Sequence, residues 1–561
     1  MGLGILEDHK LEHVPGTAYV LNDESRRVEE GLTADHNLKC DNSGPVPIIL
    51  VPQPSDDPND PLNWPLWRRD LILFVLSLQA VIAASLSPIL AADTLKLALF
   101  YRRTFTDVAL LTGWHLLGVG VAGFIFVPSS RVWGKRHAFL IGNIFLIFSS
   151  AWAGASGHNY KSMLAARTFQ GIGLAPFESL VNPVVGDMYF VHERGKRMAL
   201  TNFAVFGGAF LTPVVVGKMS HTIGWPWTFY LVAILSAAML PALVFFVPET
   251  AFRRDERLNT DVSTKMEGHR LSVLKETAQE RSFHADDRTP RTSDARTTES
   301  AHLPRKATYR ESLKPFNGRK TDENYWKLLL RPLPLFFHPG ILWACLTQGT
   351  LIGWTVFLGI ILSAIMLAPP LFFDEVSTGY MYTGAFIGAV VGLIVAGLSA
   401  DFSARWLSKR NRGVFEPEFR LILIIPQLIL GCAGLYGFGI TANNTYKYHW
   451  FWPDFFFALE VAAMVIGAVA SSLYVVDAHR NIAIEGFTCM MVFKNIFSFG
   501  LTFHGYNWLV QGGINGIRNV FTAVGSVQVV ICLLTIPMYI FGKRNRSFFA
   551  RHDILKISGL W

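Results

Sequence analysis

The chain has 561 residues, of which 51% are hydrophobic and only 16% charged, with 43 Phe and a formal net charge of +8. Ordinary globular domains carry about 25% charged residues. Here the apolar residues arrive in blocks of roughly 20, the length a helix needs to cross about 30 Å of hydrocarbon, so a soluble multidomain protein is excluded. The basic excess lies between the apolar blocks and forms no stripe interleaved with aromatics, which argues against a nucleic-acid partner.

In chain order, residues 1–69 are polar, partly acidic and rich in Pro. No apolar core stands near the start, so no cleavable signal peptide is evident and the first span is expected to serve as its own insertion signal. Six spans are expected at 70–92, 107–128, 138–157, 162–187, 199–220 and 227–247, making a first bundle over 70–248. Residues 249–338 then turn to Arg, Lys, Glu, Asp, Ser and Thr, and are expected to form a cytosolic, largely disordered linker. A second bundle over 339–541 offers spans at 340–366, 379–400, 420–440, 453–476, 484–504 and 517–541, followed by a cytosolic tail at 542–561. Pro and Gly inside the spans, such as Pro88, Pro176, Pro213, Gly353 and Pro426, are compatible with bundled membrane helices.

Basic clusters recur on alternate connections: Arg131, Lys135 and Arg136; Arg194, Lys196 and Arg197; the linker; Arg405, Lys409 and Arg410; Lys543, Arg544 and Arg546. The positive-inside rule puts these in the cytosol together with both termini. A weak internal repeat supports two halves. Span four ends in Ser179-Leu180-Val181 and then Asp187, and span ten in Ser472-Leu473-Tyr474 and then Asp477. The expected fold is an all-α membrane protein, twelve transmembrane helices in two pseudo-symmetric six-helix bundles.

Several stretches resemble the major facilitator superfamily. Arg167-Thr-Phe-Gln170-Gly171-Ile-Gly173 is similar to its fourth-span signature, and Gly134-Lys135-Arg136 to the end of its loop signature between spans two and three. Val14-Pro15-Gly16-Thr17, Asp60-Pro61-Leu62-Asn63-Trp64-Pro65, Asp187 with His192-Glu193-Arg194-Gly195, Pro248-Glu249-Thr250, Glu416-Pro417-Glu418-Phe419-Arg420-Leu421 and Tyr474-Val475-Val476-Asp477 resemble fungal members of the twelve-span drug:proton antiporter group. Two departures stand out. The loop signature's usual Asp reads Arg131, with Val127 at a usual Gly, whereas Gly397 and Asp401 keep both residues in the second half. The fifth-span antiporter signature keeps Gly208, Pro213 and Gly217 but has Thr212 before the Pro. The resemblance implies the major facilitator fold, with spans one, four, seven and ten around a central cavity.

An ionisable side chain near the bilayer centre costs about 2.5–3.5 kcal/mol on insertion scales, so each needs a reason. Arg167 and Glu178 in span four, Glu460 in span ten and Lys494 in span eleven stand out. Aligning Asp187 with Asp477 sets Glu460 opposite Gln170, so Arg167 and Glu460 are expected at one depth, either as a proton and substrate centre or as a lock between the halves. Gln170, Gln348 and Asn495 join the expected substrate and proton pathway, with Gln79 and Trp354 as weaker candidates. Asp187, Arg194, Asp401 and Arg405 are expected in cytosolic turns, as gating residues or as ordinary loop charge. His115 reads as a satisfied core residue rather than a metal ligand. No Walker A sequence, CxxC pair or nucleophile elbow is present, so no ATP site, metal, cofactor or enzymatic chemistry is expected.

These readings converge on a monomeric secondary transporter of a small organic solute, driven by the proton gradient and expected in the plasma membrane. Export of a drug or secondary metabolite comes first and uptake of a cationic nutrient such as a polyamine second. A non-transporting scaffold or transceptor is the alternative from another class.

Overall fold

The computed structural model describes residues 3–8, 10–11, 14–19, 39–41, 48–50, 52–253, 305–411, 414–479 and 482–560. The first half contains helices α1 (Leu66–Ala84), α2 (Phe105–Trp133), α3 (Arg136–Gly154), α4 (Tyr160–Ser179), α5 (Val191–Ile223) and α6 (Pro226–Phe246). The second contains α7 (Pro339–Leu367), α8 (Tyr382–Arg410), α9 (Ile424–Ala442), α10 (Phe451–Ala478), α11 (Ala483–Gln511) and α12 (Gly516–Leu533), the last continued by a helix over Thr535–Arg551. Among the described residues, 10 helical segments are long and apolar enough to cross a membrane. The two remaining long helices, α1 and α4, carry the charges Arg68, Arg69 and Asp70, and Lys161, Arg167 and Glu178.

Local sequence sets the ends. Thr104 and Asp107 exchange backbone bonds of 3.2 Å in a capping box that starts α2, and Gly134 at φ 94° stops it. Asn159 caps α4 through Ser162 N at 3.1 Å. His338 caps α7 ahead of Pro339, its Nδ1 accepting from Gly340 N at 3.2 Å.

Packing repeats with a shift of six helices. α2 lies on α4 as α8 lies on α10, α3 on α4 as α9 on α10, α3 on α6 as α9 on α12, and α1 on α5 as α7 on α11. The halves meet along α2–α11 and α5–α8, which are the same contact under that shift.

Four boundaries differ from expectation. The first span ends at Ala84 rather than 92, and a separate helix, Thr94–Tyr101, follows. The fourth span breaks at Leu180, between Pro176 and Pro183, and resumes as Val181–Met188. Asp187 belongs to the helix Val181–Met188, Arg194 to α5, and Asp401 and Arg405 to α8, rather than to turns; Asp401 to Arg410 contains no Gly or Pro to stop α8. Within the expected disordered linker, residues 305–338 carry the short helices Tyr309–Ser312, Tyr325–Leu330 and Pro332–Leu335. Residues 254–304 lie outside the described residues.

Described residues 3–19 pack against the second half, whereas Pro61–Asn63 touches Val181–Met188 in the first. Ala18–Tyr19 pairs antiparallel with Val414–Phe415, and Ile5 and Val14 are buried. Three sequence motifs meet there. Arg546, 1% exposed, donates to Glu416 at 2.8 Å, to Glu418 at 2.8 and 3.0 Å, and to the Pro15 carbonyl. Thr17 donates to Glu416 at 2.7 Å. Gly16 sits at φ 88° with the Asp477 carbonyl 2.7 Å from where a Cβ would stand, so a side chain does not fit. Arg546→Gln leaves the buried Glu418 without its cation among the described residues and Glu416 with Lys543 alone. Such losses cost about 3–5 kcal/mol, and a lowered unfolding midpoint of the purified protein checks this. A shift equivalent to less than about 1 kcal/mol would show that the cluster is not an anchor.

Candidate functional site

Arg167 and Glu460 are both fully buried, but they do not face one another. Arg167 donates to the carbonyls of Leu86 (2.8 Å) and Leu111 (3.3 Å) and to Gln170 Oε1 (2.8 Å), tying α4 to the end of α1 and to α2. His115 Nδ1 lies 3.3 Å from the Arg167 carbonyl and its Nε2 3.3 Å from Ser87 Oγ, a satisfied core residue. Glu460 accepts from the Thr355 hydroxyl on α7 at 2.8 and 3.0 Å, and Gly434 on α9 leaves room for its backbone. Each charge therefore anchors its own half. Aligning the halves says which residues correspond along the helices, but azimuth about a helix is set by packing.

The interior pair that does join the halves is Glu178 on α4 with Lys494 on α11. Their side chains are 18% and 15% exposed, so they are partly sheltered without being sealed in one bundle. Lys494 lies eleven residues beyond Ala483, about 16 Å along α11 at 1.5 Å per residue, close to the middle of a 30 Å core. Next to it, Asn495 donates to the Met491 carbonyl at 3.0 Å, and Gly120 on α2 gives its Cβ space. Trp354 stacks edge-on to Phe497 at 5.1 Å, and its indole nitrogen is buried with no partner among the described residues. Gln348 accepts from Ser471 at 3.3 Å inside the second half, and Gln79 donates to Asn143 at 2.8 Å inside the first.

On the inner face, Asp187 takes Lys135 at 2.5 Å, and Glu249 caps α3 by accepting from Lys135 N (2.9 Å) and Arg136 N (3.0 Å). The second half repeats this with Asp477 and Arg420 at 3.0 Å. Both Asp residues thus brace one half. The contact that crosses the halves is Arg131 at the end of α2 with Glu485 in the first turn of α11. Arg131 therefore inverts the polarity expected at a loop Asp and finds a carboxylate across the interface. Arg405 is exposed on α8, while the side chains of Arg194 and Asp401 lie outside the described residues.

The outer face carries a second crossing that the sequence reading missed. Gly217 on α5 and Gly379 in the helix Glu375–Tyr380 pack backbone to backbone. A Cβ on Gly217 would stand 2.4 Å from the Glu375 carbonyl, and one on Gly379 2.5 Å from the Pro213 carbonyl. Lys96 and His221 lie 3.8 and 3.7 Å from Glu375, and Lys96 also donates to the Ser220 carbonyl at 2.9 Å. Asp93, 1% exposed at the start of Thr94–Tyr101, has its carboxyl pushed up to about 7 by burial, against the pull of Ser220 and Lys96. The signals in the sequence were Gly217 and the cations Lys96, Arg102 and Arg103 between the first two spans.

Two outcomes follow for this seal. In Gly217→Leu the outer ends of α5 and α8 do not close, so transport is lost and thiol probes applied from outside label the outer cavity faster. Because Asp93 binds its proton more tightly folded than unfolded, its contribution to stability is full below pH 3.8 and falls as pH rises toward about 7. Asp93→Asn removes that part of the slope, and unfolding midpoints at pH 5 and 8 should lie closer together than in the native protein.

The model of the Major Facilitator Superfamily matches residues 71–493. The Saccharomyces cerevisiae protein HOL1 is 25% identical over 582 residues, covering 97% of this chain and 97% of its own. The Candida glabrata multidrug transporter TPO1_2 is 24% identical, covering 88% of this chain and 79% of its own. The fold resembles a partially occluded, inward-open xylose transporter XylE from E. coli, with a TM-score of 0.53 and 13% identity over 84% of this chain and 98% of that one. The chain belongs to the Major Facilitator Superfamily, as an integral membrane transporter and not an enzyme.

Proposed function

We propose that the protein moves a small organic solute by proton-coupled alternating access, with Glu178 and Lys494 as the coupling pair. What supports this is the placement of that pair at mid-depth between the two bundles, where the deeply buried Arg167 and Glu460 are each tied within one half. Removing the charge from one member of a sheltered pair leaves the other uncompensated, so protonation of Glu178 loosens the halves and binding of solute or loss of the proton resets them. Glu460, held by the Thr355 hydroxyl, is a second proton acceptor inside the C-terminal half. Asn495 beside the pair and Trp354 on α7 supply polar and aromatic contacts for an amphipathic solute, and Gln170 and Gln348 brace the helices around them.

Export of a drug-like or secondary metabolite from the plasma membrane is the first reading, in keeping with likeness to a multidrug transporter. The protein then works as a monomer with both termini cytosolic and no resident cofactor. Uptake of an organic cation is the second, because a substrate ammonium can take the place of Lys494 on Glu178.

Reconstitution in vesicles with an imposed pH gradient, assayed with hydrophobic cations, metabolites and polyamines, tests both. Native protein accumulates substrate in response to the gradient. Glu178→Gln slows gradient-driven transport by about tenfold or more, roughly 1.4 kcal/mol, and leaves downhill exchange less affected. Gradient dependence that survives Glu178→Gln removes the residue from coupling. Movement of no compound in the panel favours the scaffold.

A further inference from the structure

The linker enters the inner interface between the halves. Its described part first follows the N-terminal half. Tyr309 donates to the Phe245 carbonyl at 2.9 Å, Arg136 donates to the Leu313 carbonyl at 3.0 Å, and Phe316 stacks on His137 at 4.9 Å. Lys320 N then bonds the Val132 carbonyl at 2.8 Å, and Tyr325 meets Trp133 with ring centroids 5.4 Å apart, both at the end of α2. Beyond Arg331 the segment belongs to the other half. Leu335 is buried in its core, the Pro332 carbonyl accepts from Cys489 at 3.2 Å, and Arg331 donates to the Leu560 carbonyl at 3.0 Å.

At the crossing point four charges alternate. Arg131 holds Glu323 at 3.1 Å and also Glu485. Arg331 holds Glu323 at 2.9 Å and Glu485 at 3.6 Å. Arg331 and Glu485 are 3% and 6% exposed, and Arg131 and Glu323 29% and 30%, so the inner members of the ring are dry. Two of the four charges come from the linker and one from each half. Without Glu323, two guanidinium groups share a single carboxylate and repel one another. Without Arg331, the two carboxylates share one cation.

We infer that Glu323 and Arg331 are positioning residues of the inner gate, completing the charge ring that holds α2 to α11 while the cytosolic side is shut. The linker is thereby a working part of the transport cycle. Opening inward draws α2 and α11 apart at this face, and the ring is what must come apart. This rests on the alternating-access reading, but its test needs no substrate.

Hydrogen–deuterium exchange of the purified full chain reads both faces at once. Glu323→Gln should raise exchange about threefold at the inner end of α2 and the first turn of α11 and lower it at the outer seal around Gly217 and Gly379, as closure there deepens. Glu323→Asp keeps the charge and should restore the native pattern. Glu311→Gln, on the same linker but bonded through Thr308 N, should change neither face. Faster exchange confined to residues 305–338, or a rise at both faces together, overturns the inference, since loss of a mere anchor produces those patterns. Absence of transport in vesicles with the opposed exchange response intact would instead count against the solute reading alone.

Discussion

A charge inside a bilayer has to find its partner within the protein, because no water stands by to take its place. That constraint sorts the interior charges of this chain into two groups. One group is satisfied within a single bundle: Arg167 on carbonyls, Glu460 on a hydroxyl, Asp187 on Lys135 and Asp477 on Arg420. The other reaches across the bundles: Glu178 with Lys494, Arg131 with Glu485, and the looser contacts of Lys96 and His221 with Glu375. The first group makes each half a rigid body. The second crosses between the halves, so the division follows from where each partner sits in the chain.

Much of the architecture was legible in the sequence because hydrocarbon thickness fixes span length. Span ends were less so. Asp401 to Arg405 looked like a turn by analogy with Gly134 to Arg136, but only the latter contains a glycine able to take φ 94° and stop the helix. Azimuth was illegible. The repeat set Glu460 opposite Gln170, yet each finds its partners within its own bundle. Glu178 and Lys494 were each visible as costly charges, but nothing in one dimension said that they were partners for one another.

The motifs at the chain ends show the same limit. Val14 to Thr17, Glu416 to Leu421 and Tyr474 to Asp477 could be picked out as distinctive, and so could the basic run around Arg546. That one guanidinium gathers the first two, while Gly16 presses against the third, is a fact of three-dimensional packing. It also changes what the N-terminal segment is. A polar leader in sequence is, in the fold, part of the base of the opposite bundle.

The six-helix repeat makes α2–α11 and α5–α8 equivalent in backbone, yet their chemistry differs. Along α2–α11 the inner end is held by charge, through Arg131 and Glu485, and Lys494 on α11 reaches Glu178 on α4 close by. Along α5–α8 the outer end is held by shape, through glycines that let backbones touch, with ion contacts only at 3.7 and 3.8 Å. Close backbone packing is indifferent to protons, whereas a sheltered ion pair is sensitive to them. A symmetric scaffold thus acquires two unlike interfaces: charge pairs hold the one that closes the inner half, and backbone contact, with the buried Asp93 beside it, holds the outer seal.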